Sequence, residues 1–139
     1  MEVLSSRVVL AARDLERTRQ WYRDVLGLHE YREYGAEGIV TGVVLFCGGG
    51  FIELTRAHAE SGSAAPSAAI WMQVTNASAE HERLAATGAV CITAVPARMP
   101  WGLIEMWIED PDGVRIVLVE VPSGHPLRTR LDIGPGGRL

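Results

Sequence analysis

The stretch from Trp101 to Glu120 constrains the fold of this chain more than any other part of the sequence. Two runs rich in β-branched and aromatic residues flank an Asp-Pro-Asp-Gly segment at 110–113, in which the proline favours a turn at its second position. Gly113 can adopt the positive φ that closes such a turn. The stretch therefore predicts two antiparallel strands joined as a hairpin.

Successive side chains of a strand point to opposite faces, so the hairpin has two faces of different character. The apolar face should pack against a helix or a core, and it consists of Ile104, Met106, Ile108, Ile116 and Leu118. The other face carries charges and a tryptophan, and it consists of Glu105, Trp107, Glu109, Arg115, Val117 and Val119. We expect this second face either to be solvated or to line a pocket.

The bulk composition excludes several classes of partner. The 139 residues are 47% hydrophobic and 22% charged, which suits one compact domain or two small modules that share a core. Thirteen basic against seventeen acidic side chains give a net charge of −4, which argues against nucleic acid as a partner. No apolar run approaches the roughly 20 residues of a membrane helix, and the N-terminus lacks a signal-peptide pattern. We therefore expect no membrane partner and a cytoplasmic location.

The chain repeats the order strand, helix and three strands. In the first copy Asp14 occupies an N-cap position and Gly27 the left-handed position that ends a helix. In the second copy Asn76 or Ser78 caps the helix and Gly88 ends it. The two caps Asp14 and Asn76 are 62 residues apart, and the two glycines are 61 residues apart. This nearly constant offset predicts two copies of one βαβββ module.

The predicted fold class is α+β, with two βαβββ modules that form curved mixed sheets around a central cavity. The modules span residues 1–57 and 68–122. Residues 58–67, rich in Ala, Ser and Gly, are interpreted as a linker, and residues 123–139 as a loosely held C-terminal tail. One small sheet cannot bury both of its faces, so the modules must pair, either within one chain or by exchange between chains.

Three segments of the chain resemble the glyoxalase, bleomycin-resistance and ring-cleaving dioxygenase superfamily, also called vicinal oxygen chelate proteins. They are RDLERTRQWYRDVLGL at 13–28, FIELT at 51–55 and EDPDGVRIVLVE at 109–120, and the resemblance extends over residues 7–121. It implies paired βαβββ modules in a homodimer, with a cavity enclosed by the two curved sheets. It also implies four metal positions, two per module, where metal-dependent relatives offer His or Gln on the opening strand and Glu on the closing strand.

In this chain the four implied positions fall on Arg7, Glu53, Ala69 and Val117, and only Glu53 can bind a metal. Arginine is cationic at any working pH, and alanine and valine have no donor atoms. A divalent cation needs several ligands, so we interpret the metal site as dismantled and expect no cofactor. A carboxylate in a partly enclosed site is costly unless it is paired. We therefore hypothesise an Arg7–Glu53 ion pair, the alternative being that Arg7 points into solvent.

Aromatic residues surround the implied positions, which predicts a slot for a flat hydrophobic ligand. The alternative for any single tryptophan is an ordinary place in the core or in a dimer interface. The predicted ligand-binding residues lie at these positions, on the same strand faces, or at the mouth of the hairpin: Arg7, Phe51, Glu53, Trp71, Gln73, Trp101, Glu105, Trp107 and Val117.

Two functions from different classes are consistent with these residues. The favoured one is a metal-independent binding protein of the bleomycin-resistance type, which sequesters a flat aromatic or antibiotic-like small molecule without turnover, because no complete catalytic set is present. The alternative is a metal-independent isomerase, cyclase or lyase on the same scaffold. In that case Glu53 or Glu105 would be the general base, since a buried carboxylate can be tuned to that role.

Overall fold

The computed structural model describes residues 1–57 and 68–131. The predicted linker and the last eight residues of the predicted tail lie outside the described residues. The chain divides into two compact units, the first formed by Met1–Ser67 with Asp110–Val114 and the second by Ala68–Glu109 with Arg115–Leu139. Within the described residues, no helix is long and apolar enough to cross a membrane.

The first unit contains a four-stranded sheet in the order β1-β4-β3-β2. Strand β1 pairs with β4 in parallel, and the other neighbours are antiparallel. Its strands are β1 (Val8–Ala12), β2 (Glu30–Ala36), β3 (Ile39–Cys47) and β4 (Gly50–Arg56). Helix α1 (Leu15–Gln20) follows β1 and continues into a π-helical turn at Trp21–Val25.

The second unit repeats this architecture, with a four-stranded sheet in the order β5-β8-β7-β6 and a parallel β5–β8 pair. Its strands are β5 (Ala69–Val74), β6 (Cys91–Arg98), β7 (Ile104–Glu109) and β8 (Arg115–Glu120). Helix α2 (Ala77–Thr87) follows β5, and a short helix α3 (Pro126–Leu131) follows the sheet. The two mixed sheets confirm the predicted α+β class and its repeated βαβββ order.

The helix boundaries follow from local side-chain chemistry. The carboxylate of Asp14 accepts the backbone N–H of Arg17 at 3.1 Å, which caps α1. The side chain of Asn76 accepts the N–H of Ala79 at 2.8 Å, so of the two predicted caps Asn76 is the one used. Gly88 ends α2 with a φ of 63°, a conformation that glycine adopts without strain.

The end of the first helix differs from a regular α-helix. The N–H of Leu26 bonds to the carbonyl of Trp21 at 3.1 Å, five residues back, which is the π-helical pattern. Because a π-turn holds more residues than an α-turn, successive side chains are separated by a smaller angle. Trp21 and Tyr22 are accordingly both buried and in edge contact, with ring centroids 5.0 Å apart.

The Asp-Pro-Asp-Gly turn of the hairpin docks on the first helix. Tyr22 donates its hydroxyl proton to Asp110 Oδ2 at 2.8 Å, and Thr18 donates to Asp112 Oδ2 at 2.8 Å. The other oxygen of Asp110 accepts the N–H groups of Asp112 and Val114, both at 2.8 Å. Burial raises the pKa of Asp110 and that of Tyr22. This docking ties the turn into the first unit.

The two faces of the hairpin are buried to different depths. Met106, Ile108, Ile116 and Leu118 of the apolar face are all buried, as predicted. On the other face Val117 and Val119 are also buried, in a cluster with Leu103 and Val121 against which Trp107 packs. The second face is therefore not solvated throughout, because its centre is a floor of buried valines.

Candidate functional site

Glu53, near the centre of the first sheet, is bonded through both of its carboxylate oxygens. Nη1 of Arg7 lies 3.0 Å from Oε2, so the hypothesised ion pair is confirmed. The hydroxyl of Tyr34 donates to Oε1 at 2.5 Å. The side chains of Arg7 and Glu53 are 35% and 17% exposed, and an ion pair this accessible contributes little to stability. Its significance therefore lies in what it does to the carboxylate.

The neighbours of Glu53 hold it in the charged form. The hydrogen bond from Tyr34 lowers the pKa of the Glu53 carboxyl, and the hydrogen bond and charge of Arg7 lower it further, against a smaller opposing effect of burial. The same hydrogen bond to Glu53 is the main cause that raises the pKa of the Tyr34 phenol. At neutral pH this group is therefore a carboxylate that accepts two charge-assisted hydrogen bonds, from Arg7 and from Tyr34. A carboxylate with a lowered pKa is a poor proton acceptor.

Tyr34 was not among the predicted site residues, and a glycine on the adjacent strand is what admits it. Gly42 on β3 is the cross-strand partner of Tyr34 on β2. A Cβ at Gly42 would overlap the ring of Tyr34. A glycine inside a strand often marks the close approach of another group, so Gly42 was the available signal.

An aromatic cluster lies beside the ion pair on the same face of the first sheet. The rings of Tyr31, Phe46 and Phe51 contact one another, with centroids 5.1, 5.5 and 5.4 Å apart. The guanidinium of Arg7 lies over the ring of Phe51, 5.9 Å from its centroid. Only Phe51 was predicted. A register shift in β2 between Glu30 and Arg32 interrupts the alternation that places side chains on faces, which is why Tyr31 was missed.

The second sheet aligns its predicted site residues in rows across the strands. Trp71 on β5 is opposite Val117 on β8, and Val117 is opposite Trp107 on β7. The next row places Gln73 opposite Val119, which is opposite Glu105. Cross-strand partners share a face. Five of the predicted residues therefore share one face of this sheet: Trp71, Gln73, Glu105, Trp107 and Val117.

The two tryptophans of this face flank a short, buried side chain. Neighbouring strands are about 4.8 Å apart, so residues two strands apart are separated by about 10 Å. Val117, which is 5% exposed, lies between Trp71 and Trp107. Trp71 is 50% exposed, and the guanidinium of Arg115 lies 5.5 Å from the ring centroid of Trp107. The row therefore places one indole side chain on each side of a buried valine.

Trp101, in the loop between β6 and β7, is held by two contacts. Its indole N–H donates to Glu105 Oε1 at 2.8 Å. Its backbone carbonyl lies 2.9 Å from His125 Nε2, while the N–H of Leu127 donates to Nδ1 of the same ring at 3.2 Å. Because Nδ1 acts as the acceptor, Nε2 carries the proton and donates to Trp101. His125 was not predicted, since it lies in the segment interpreted as a loose tail.

Among the described residues, those at the four implied metal positions do not fit a divalent metal. In the first sheet Val9 pairs with Glu53, and Arg7 lies two residues before Val9. In the second sheet Trp71 pairs with Val117, with Ala69 two residues before Trp71. The two modules thus place the four implied positions equivalently, and Glu53 is the one donor among them. No group of three or more His, Cys, Asp or Glu that could hold a metal occurs among the described residues.

The first unit also carries a surface pocket away from these residues. Its volume is about 260 Å³, and it is lined by Leu15, Glu16, Gly38, Ile39, Val40 and Arg56. None of the predicted ligand-binding residues lines it, and it contains no aromatic side chain.

Replacing Gly42 with alanine is expected to break the hydrogen bond between Tyr34 and Glu53. The added methyl group would push the Tyr34 ring away, so the pKa of Glu53 should rise, and overpacking should cost about 1–3 kcal/mol of stability. Carboxyl chemical shifts measured against pH report this pKa. Gly49→Ala is the matched control, because a Cβ at Gly49 meets no atom within 4 Å. An unchanged Glu53 pKa in Gly42→Ala would show that Tyr34 does not control this carboxyl.

Comparison with known proteins gives matches over most of the chain. The sequence model of the family described as Glyoxalase/Bleomycin resistance protein/Dioxygenase superfamily matches residues 5–118. No curated protein matches the chain.

Three solved structures illustrate the structural similarity. TioX from Micromonospora sp. ML1 aligns with a TM-score of 0.67 and 24% identity, over 86% of this chain and 97% of that chain. A superfamily member from Sphaerobacter thermophilus DSM 20745 aligns with a TM-score of 0.71 and 20% identity, over 86% and 98%. Lactoylglutathione lyase from Agrobacterium tumefaciens aligns with a TM-score of 0.65 and 21% identity, over 86% and 94%. At these identities the similarity shows the fold alone.

Proposed function

Because this chain belongs to the Glyoxalase/Bleomycin resistance protein/Dioxygenase superfamily, we propose that it is a metal-independent small-molecule-binding protein of the bleomycin-resistance type. Its ligand is a flat aromatic or antibiotic-like compound, which the protein sequesters without turnover. The observation that carries this proposal is the row in which Trp71 and Trp107 flank Val117 on the second sheet. In the proposal these three residues form a tryptophan slot, with the two indole rings as its walls and Val117 as its floor.

The chemistry of this row suits a planar, apolar ligand. Indole rings offer large flat surfaces that stack on other aromatic systems, and a valine floor adds an apolar contact. Half of the Trp71 surface is exposed, so stacking there removes apolar area from water. Gln73 and Glu105 in the adjacent row provide the few polar groups that orient a ligand in an otherwise apolar site.

The first sheet supplies a second set of proposed ligand contacts, namely Arg7, Phe51 and Glu53. Phe51 belongs to an aromatic cluster whose Tyr31 and Phe46 are exposed. We further propose that the protein acts in the cytoplasm, that it confers antibiotic resistance, and that it is a homodimer. Sedimentation at micromolar concentration tests the oligomeric state.

Catalysis by a metal-independent isomerase, cyclase or lyase is supported less. A general base needs a pKa near the working pH and freedom to turn toward its substrate. Both oxygens of Glu53 are already bonded, by Arg7 and Tyr34, and its pKa is lowered. One oxygen of Glu105, the other candidate base, accepts the indole N–H of Trp101.

Replacing Trp71 with leucine is expected to weaken the binding of a flat probe about tenfold, because one stacking surface is lost. The probe is 2-naphthamide, measured by calorimetry and by quenching of tryptophan fluorescence, alongside bleomycin. Trp107→Leu should act in the same direction. Trp21→Phe is the control, since Trp21 is buried in the first unit.

Mass spectrometry of the recovered compound distinguishes binding from turnover. Sequestration predicts the compound unchanged after prolonged incubation. A reaction product would replace the binding proposal by the enzymatic one, and equal affinities of Trp71→Leu and the parent protein would remove the tryptophan slot.

A further inference from the structure

We propose that Arg32 and Arg7 bind an acidic group of a ligand held on the first sheet, so that the preferred ligand of this sheet is a flat aromatic carboxylate. This inference rests on the proposed function and specifies the ligand class. It concerns one face of the first sheet, where two guanidinium groups, two aromatic rings and one carboxylate lie in a continuous series of contacts.

Both guanidinium groups are held against rings. Arg32 lies over Tyr34, 5.6 Å from the ring centroid, and Arg7 lies over Phe51 at 5.9 Å. A stacked guanidinium uses its face, and its N–H donors remain available in the plane. Arg7 uses Nη1 to bind Glu53. In the part of the chain that the structure describes, the guanidinium of Arg32 makes no hydrogen bond or ion pair.

The charges of this face do not balance. Strand register places Arg32 opposite Val44, and Val44 opposite Glu53, so both charged groups lie in one cross-strand row. The charges of Arg7 and Arg32 both help to lower the pKa of Glu53 and both oppose the rise in the pKa of Tyr34. Two cations against one carboxylate, already satisfied by Arg7 and Tyr34, leave one positive charge, although the chain as a whole carries −4.

A planar carboxylate matches this arrangement. Its two oxygens fit the paired N–H donors of a guanidinium, and such charged hydrogen bonds are stronger than neutral ones. An aromatic acid presents that carboxylate in the plane of its ring system. Exposed arginine also serves to protect edge strands such as β2 from pairing with other chains. If protection were its only role, removing its charge would leave ligand affinity unchanged.

The test compares 2-naphthoate with 2-naphthamide, which have the same ring system and differ in charge. We expect naphthoate to bind the parent protein about tenfold more tightly, and added salt to reduce this preference. Arg32→Gln should abolish the preference while changing naphthamide affinity by less than about twofold. Arg56→Gln is the matched control, because it removes the same charge from the opposite face of the same sheet, where Arg56 bonds to the carbonyl of Val40.

The outcomes separate this inference from the proposed function. Equal affinities for naphthoate and naphthamide would overturn the inference and leave the proposed function intact. An equal loss of naphthoate affinity in Arg32→Gln and Arg56→Gln would also overturn it, since the effect would then follow overall charge. Failure of both probes to bind would overturn the proposed function and the inference with it.

Discussion

Replacing Asp110 with alanine is expected to lower the free energy of unfolding by about 2–4 kcal/mol. The Asp110 side chain is 5% exposed and accepts three hydrogen bonds, from the Tyr22 hydroxyl and from the N–H groups of Asp112 and Val114. Alanine would leave the buried hydroxyl and both N–H groups without their acceptor. The loss would detach the hairpin turn from the first helix. Urea denaturation followed by circular dichroism measures the effect.

Asp110→Asn is the matched control, because its carbonyl oxygen can still accept the two N–H groups and its amide can donate to Tyr22. We expect it to cost less than about 1 kcal/mol at neutral pH. Burial raises the pKa of Asp110, so the folded state binds this proton more tightly than the unfolded state. The part of its stabilising effect that is linked to this proton is therefore fully present below the unfolded-state pKa and is lost as pH rises through the folded-state pKa, whereas the three hydrogen bonds to its oxygens do not require the proton. Over that pH range the free energy of unfolding of Asp110→Asn should therefore rise relative to that of the parent protein. Equal losses of stability in Asp110→Ala and Asp110→Asn would contradict this account.

The turn itself could be predicted from sequence, but its docking could not. Turn type and helix caps depend on residues a few positions apart, so Asp14 and Gly113 were identified from their neighbours alone, and Asn76 was one of two candidates for the second cap. The bond between Tyr22 and Asp110 joins residues 88 positions apart, and nothing in either local sequence specifies the other. Burial of the tyrosine hydroxyl makes a partner necessary, yet it does not identify that partner.

The candidate site was predictable wherever the strands alternate regularly. Alternation alone placed Trp71 and Gln73 on one face of β5, and the register confirms that this face is shared with Trp107. Prediction failed where alternation is interrupted or where a loop folds back. The register shift in β2 brings Tyr31 to the aromatic cluster, and His125 reaches Trp101 from a segment without periodic sequence.

The ion pair was predictable for a different reason. A carboxylate in a partly enclosed position needs a cation, and Arg7 was the residue at the neighbouring implied position. The hydrogen bond from Tyr34 to Glu53 depends on the absence of a side chain at Gly42, because the Tyr34 ring occupies that space. The sequence shows this only as a glycine within a strand.

Replacing Val117 with glutamate is expected to lower the free energy of unfolding by about 3–5 kcal/mol at neutral pH, the largest effect predicted for this chain. Val117 is 5% exposed and packs with Leu103, Val119 and Val121, so a carboxylate there would be buried among apolar groups. The resemblance to metal-dependent relatives implies a glutamate at this position. In this chain a valine occupies the position and belongs to a buried apolar cluster.

The pH dependence of Val117→Glu distinguishes buried charge from lost packing. Burial should raise the pKa of the introduced carboxyl, so the variant is most stable when protonated and loses stability as pH rises through its folded-state pKa. Val117→Gln introduces a side chain of nearly the same size as glutamate but without a charge. It should lower the free energy of unfolding by less than Val117→Glu does, and its effect should not depend on pH. Denaturant midpoints between acid and neutral pH measure both. If glutamate were tolerated as well as glutamine at neutral pH, the position would be accessible to water, and the placement of Val117 in the buried cluster with Leu103, Val119 and Val121 would be wrong.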